Sequence, residues 1–178
     1  MLIKQIKVGD MDNFCYIVSS SGECVVIDPG FDAEKIIKEF DDLKVKAILL
    51  THLHYDHDGE AKSLSSKFGV PVLSYGNGLR DKDVISVGNV DIKMHHTPGH
   101  SPHSVIYEVE GNLITGDTLF VEGCGRTDLP GSDPDKMKKT LEFVKMFPND
   151  YKVYPGHDYG SKPVSTIKHE KEFNRCLK

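Results

Sequence analysis

The chain has no tryptophan, no C-x-x-C pair among its four cysteines, and no long unbroken apolar run. A bilayer-spanning helix needs about 18 or more such residues, so no membrane span is expected. The opening MLIKQIKVGD alternates instead of running basic then apolar, which argues against a signal peptide. Cys15, Cys24, Cys124 and Cys176 are widely scattered, so no local C-x-x-C motif is formed. Reduced, mostly structural thiols are expected, with Cys124 in a glycine-rich loop that can border a site. Positive charge is also short. Lys and Arg number 22 against 27 Asp and Glu, a net charge of −5, with no basic stripe. That balance suits a cytoplasmic protein and argues against a nucleic-acid partner. No G-x-S-x-G elbow offers a serine nucleophile.

The 178 residues suffice for one domain with a real core, expected over 1–178, without repeat or linker. The oligomeric state is left open between monomer and homodimer. LIKQIKV (2–8), FCYIVS (14–19) and ECVVID (23–28) read as strands separated by turn formers. AEKIIKEF follows as a helix, then KAILL (46–50) as an apolar strand, a helical stretch over 59–68, and VPVLSY (70–75). VISV, VDIKMHHT, HSVIYEVE and NLITG continue as strands between 84 and 116. After a glycine-rich loop (122–133), Pro134 opens a helix expected to reach Phe147. YKVY (151–154) is a last strand, and VSTIKHEKEF reads as a closing helix. Roughly nine or ten strands and four helices in mixed order give an α/β or α+β fold, two packed sheets with helices outside.

What the sequence has in abundance is histidine beside aspartate. THLHYDHDGE (51–60) follows directly on KAILL. His52 and His54 are one residue apart, so in extended chain both face the same side. The spacing is not the helical H-E-x-x-H. Asp56 and His57 can be presented by a turn. Four donors are too many for one tetrahedral zinc that keeps an open position, so two ions sharing the loop is the more natural arrangement. His100 after Thr97-Pro98-Gly99, Asp117 in TGDTLF and His157 in PGHDYG each stand where a strand gives way to a turn, and rigid scaffolds carry function at such loops. Asp117 has an oxygen for each ion and is a candidate bridge. His95, His96, His103 and His169 are read as ordinary histidines, with His103 a candidate hydrogen-bond partner of His100. Asp28 is divided between turn former and support for a ligand histidine, with Thr51 in the supporting role too. Asp58 is read as charge at a helix N-terminus. Arg126 suits a substrate carboxylate, or an ion pair with Asp128 or Asp133. Tyr159 is a packed aromatic or a channel wall, and Tyr55 a pocket wall.

THLHYDH, TPGHS, TGDTLF and PGHDYG, in that order from about residue 10 to the end, resemble the metallo-β-lactamase superfamily. The resemblance implies a four-layer αββα sandwich of two mixed sheets flanked by helices. It implies a first metal held by His52, His54 and His100, a second by Asp56, His57 and His157, and Asp117 bridging. Two divalent ions are implied, zinc foremost, with iron or manganese as alternatives, and Asp56 also orients water. Familiar zinc β-lactamases carry cysteine or serine in place of Asp117, diiron flavoproteins a glutamate in place of His54, and nucleic-acid-cleaving branches an extra domain. GCGRTDLPGSD (123–133) is similar to a loop of glyoxalase II-like proteins, which implies hydrolysis of a thioester such as S-2-hydroxyacylglutathione. Only residues 158–178 follow His157, leaving no room for the helical domain that holds much of the glutathione in full-length glyoxalase II. The same loop resembles persulfide dioxygenases, in which two histidines and an aspartate hold a single iron that oxidises glutathione persulfide. The bulky Tyr55 between ligands is more like the hydrolases.

Overall fold

A computed structural model describes residues 1–40 and 42–178. The first half forms a six-stranded mixed sheet in the order β1 (Leu2–Val8), β2 (Asn13–Ser20), β3 (Glu23–Ile27), β4 (Lys44–Leu49), β5 (Val72–Tyr75) and β6 (Gly78–Leu79). The second half forms another, in the order β12 (Ser165–Thr166), β11 (Lys152–Pro155), β10 (Asn112–Gly116), β9 (Val105–Val109), β8 (Val90–His96) and β7 (Val84–Val87). Hairpins pair antiparallel, while β3–β4, β4–β5, β5–β6 and β10–β11 pair parallel.

Alternation along the strands sorts residues into layers. Phe14, Tyr16 and Val18 of β2, Val25 and Ile27 of β3, and Val105 and Tyr107 of β9 fill the space between the sheets. Cys15, Ile17, Cys24 and Val26 face the other way, onto α1 (Ala33–Ile37) and α3 (Ala61–Phe68). Ile106, Leu113 and Val153 meet Met137, Leu141 and Val144 of α4 (Pro134–Val144) and Ile167 of α5 (Ile167–Phe173). Covered on both faces, these strands read as near-continuous apolar runs. The result is a four-layer αββα sandwich, as the family resemblance implies.

Several boundaries differ from expectation. The helix expected over 59–68 is α3, which begins at Ala61, and a separate single turn of helix, α2 (Tyr55–Asp58), precedes it. Helix α4 stops at Val144, short of Phe147. VSTIKHEKEF is not helical throughout: Ser165 and Thr166 pair with β11 as an edge strand, and the Thr166 side chain then caps α5 by accepting from the His169 N–H. β6, only two residues long, lies below what sequence pattern can register.

Two buried tyrosines tie the sheets together beneath one edge. Tyr16 of the first sheet donates to the Pro155 carbonyl at the end of β11. Tyr107 of the second donates to the Leu50 carbonyl just past β4, at 2.9 Å. Each bond grips the strand end that precedes a histidine loop. Tyr107→Phe leaves the buried Leu50 carbonyl without this donor, which costs about 1–3 kcal/mol. A lower urea midpoint is expected; an unchanged midpoint would contradict the role given to this bond.

Candidate metal centre

The chain ends β4 at Leu49, and His54 is still extended (φ −77°, ψ 145°), so His52 and His54 keep to one side. Helix α2 then turns back, with the His57 N–H on the His54 carbonyl at 2.9 Å, and carries Asp56 and His57 inward. From the second sheet come His100 after β8, Asp117 after β10 and His157 after β11. The His100 turn lies against α4, where the Thr140 hydroxyl donates to the Pro98 carbonyl at 2.7 Å. All seven expected side chains converge at this edge of the sandwich.

They form two sets. His52, His54 and His100 offer ligand atoms within 4.8 Å of one another, and so do Asp56, His57 and His157. In the first set, His54 Nδ1 faces His100 Nε2 at 2.9 Å. In the second, His57 Nε2 faces His157 Nε2 at 3.3 Å, and Asp56 Oδ2 lies 3.5 Å and 3.4 Å from them. Asp117 stands between the sets: Oδ1 is 3.2 Å from His57 Nε2 and 3.5 Å from His157 Nε2, while Oδ2 is 3.5 Å from His100 Nε2.

The outward nitrogens of four rings are already committed. His57 Nδ1 meets Asp28 Oδ2 at 3.1 Å, His100 Nδ1 the Arg126 carbonyl at 2.9 Å, and His157 Nδ1 the Met11 carbonyl at 2.9 Å. Thr51 donates its hydroxyl to Asp28 Oδ2, leaving its oxygen to accept from His52 Nδ1 at 3.1 Å. Acceptors on Nδ1 hold a proton on that nitrogen and turn Nε2 inward. Asp28 also takes the Thr51 N–H at 2.7 Å and adopts φ 54°. It is therefore both the turn former and the support between which its sequence context is divided. Although Asp28 lies near His52 and His57 as a third set, its oxygens are consumed in this way.

The fit to cations rests on atoms left over. Among the described residues, His52 Nε2 and Asp117 Oδ1 are buried without a hydrogen-bond partner. Such groups are costly unless something positive meets them. Burial, reinforced by the charge on His57, holds His52 well below the usual imidazole range. Burial and then His100 lower His54. Both rings are neutral at pH 7. For Asp117, burial acts upward but is outweighed by His57 and His157, which hold it well below the usual carboxylate range. Burial acts upward on Asp56 too. Hydrogen bonding from His157, the charge on His57 and the Asn13 side chain (Nδ2 to Oδ2, 3.0 Å) outweigh it and keep that carboxylate ionised. Two ionised carboxylates beside the neutral His52 and His54 can seat a cation. Against burial, Asp117 above all raises His57, and Asp117 and Asp56 raise His157 to about 9, so these two rings would give up their inward protons to an ion.

The remaining expectations divide. His103 does not support His100, whose Nδ1 is taken by the Arg126 carbonyl; the His103 N–H meets the Ser101 hydroxyl instead. His95 pairs with Glu108 and His96 with the Pro102 carbonyl, both away from the site. Asp58 lies in the first and only turn of α2, in keeping with the helix N-terminal reading, and burial raises its pKa. A cleft of about 710 Å³ opens over the centre, and Tyr55, Phe120, Cys124, Arg126, Leu129 and Tyr159 are among the residues lining it. Arg126 makes the alternative pairing, two bonds to Asp128 at 2.6 and 2.7 Å. Tyr159 is part of the wall and not a packed aromatic: it is 57% exposed, with its ring stacked on His157 at 4.5 Å. Burial, with the Cys176 contact in the same direction, pushes the Cys124 thiol up to about 12, so only a small fraction of it is thiolate at neutral pH. Sequence reasoning misses Asn13 and the Met11 and Arg126 carbonyls. A polar residue opening an apolar strand is a signal for Asn13; a backbone acceptor leaves none.

The chain matches the model of the metallo-beta-lactamase superfamily over residues 8–81 and 76–157. It is 33% identical to a probable polyketide biosynthesis zinc-dependent hydrolase, PksB, of Bacillus subtilis, over 88% of this chain and 77% of that one. It is 33% identical to a hydroxyacylglutathione hydrolase of Anaeromyxobacter dehalogenans, over 84% of this chain and 63% of the relative, so it spans less than two thirds of that protein. Among solved structures, the BLEG-1 B3 metallo-beta-lactamase superposes with a TM-score of 0.90 at 31% identity, covering 99% of each chain. ETHE1 from Myxococcus xanthus superposes at 0.89 with 28% identity, over 98% of this chain and 84% of the other. TTHA1623 in a di-iron-bound form superposes at 0.82 with 30% identity, over 97% and 98%.

Gly156 lies against the centre: a Cβ there would stand 2.3 Å from Asp117 Oδ1 and 3.0 Å from His57 Cε1. Gly156→Ala is expected to weaken cobalt(II) binding by about 10–100-fold, the range for disturbed ligand support. Titration by visible absorption measures it, and wild-type affinity would contradict this packing argument.

Proposed function

Since the chain belongs to the metallo-beta-lactamase superfamily, we propose that it hydrolyses thioesters of the S-2-hydroxyacylglutathione type at a pair of divalent cations. Zinc is the first choice of ion, with iron or manganese as alternatives. The observation that carries the reading is Asp117, with one oxygen toward each histidine set. His52, His54 and His100 would hold one ion, Asp56, His57 and His157 the other, and Asp117 both. Two bound cations supply hydroxide from water at neutral pH and Lewis-acid support for a carbonyl oxygen.

The chain's own residues do the rest. Asp28 holds Thr51 and His57 in place together, so the first histidine loop enters as a rigid piece. Asn13 donates to both Asp56 Oδ2 and the Asp56 carbonyl, fixing the carboxylate that would orient water. Phe120, Leu129, Tyr55 and Tyr159 give the cleft an apolar wall that excludes water around a thioester. Arg126 at the rim can exchange Asp128 for a substrate carboxylate. A thiol has a pKa near about 8.5, so thiolate departs without a general acid.

The test is metal content of anaerobically purified protein read with activity. Two ions per chain and thiol release from S-lactoylglutathione are expected. Asp56→Ala should empty one seat and lower the rate at least about 100-fold. One iron per chain, oxygen uptake with glutathione persulfide, and a full iron centre in Asp56→Ala would overturn the proposal in favour of persulfide oxidation.

A further inference from the structure

Cys124 and Cys176 are 52 residues apart in sequence, and their sulfurs lie 2.7 Å apart. Both are half-buried free thiols. One side chain sets their approach. Asn174, fully buried, donates through Nδ2 to the carbonyls of Gly123 at 2.9 Å and Phe120 at 3.2 Å, and its Oδ1 accepts the Cys176 N–H at 2.8 Å. Glu170 holds the same amide at 2.7 Å. The backbone before Cys124 and the backbone of Cys176 are thus fastened to one group.

We propose that Cys124 and Cys176 form a reversible intramolecular disulfide, a redox modification site that ties the C-terminal turn to the wall of the cleft. The oxidant is a low-molecular-weight disulfide. One cysteine thiolate attacks it and becomes a mixed disulfide, releasing one small thiolate. The second cysteine thiolate then attacks the protein sulfur and releases the other. Two protein thiols are oxidised, the external disulfide is reduced to two thiols, and the cysteine protons pass to solvent and thence to the released thiolates. The linked loop reaches the centre, since the Gly125 N–H donates to the Asp117 carbonyl at 3.1 Å and the Arg126 carbonyl holds His100. Oxidation therefore stiffens the support of both residues.

The full chain, exposed to oxidised glutathione and then alkylated under denaturing conditions, is mapped by mass spectrometry. A Cys124–Cys176 linked peptide is expected, with Cys15 and Cys24 still alkylated. Closing this loop should raise the melting midpoint by roughly 5–15 °C over the reduced protein. Cys176→Ser should give no internal bond and no such rise. Four alkylated cysteines in oxidised wild type, a persisting glutathione adduct on Cys124, or a bond to another cysteine would overturn the proposal.

Discussion

Asp117 is a buried carboxylate set among imidazoles whose inward nitrogens face one another across 2.9 and 3.3 Å. Lone pairs so placed repel unless protons or cations lie between them, and one Asp117 oxygen finds no hydrogen-bond donor among the described residues. The loops around this group are arranged to hold it there. Gly116 precedes it at φ 48°, with Thr51 where a Cβ would go, and Gly156 leaves room beside its carboxylate. Bulk at either place would push the two sheets' contributions apart.

The centre belongs to neither sheet alone. The first sheet supplies His52, His54, Asp56 and His57, and the second supplies His100, Asp117 and His157. Their alignment depends on how the sandwich closes, which the inter-sheet core and the crossed tyrosine bonds of Tyr16 and Tyr107 determine. Stability and site geometry are coupled through those few contacts. The cleft above is apolar on its walls and polar at its floor, a pattern suited to a substrate with one polar reactive bond.

Much of this is legible in the sequence because both codes involved are local. Apolar alternation marks the strands, and His and Asp at strand ends mark the centre. What escapes is non-local or carried by backbone. No pattern announces that the Met11 and Arg126 carbonyls orient His157 and His100, or that Asn174 brings Cys124 and Cys176 together across 52 positions. Proximity in sequence favours His103 as a partner for His100, yet a loop from beyond β10 occupies the ring nitrogen instead. The closing helix is shorter than its pattern suggests because Ser165 and Thr166 continue the amphipathic spacing while pairing with β11.

X-ray absorption on the protein loaded with two equivalents of zinc tests the central claim most directly. Bridging through Asp117 predicts a metal–metal scattering path at about 3.5–4 Å beside nitrogen and oxygen ligands. Two bound ions with no such path, or binding that saturates at a single ion, would contradict it.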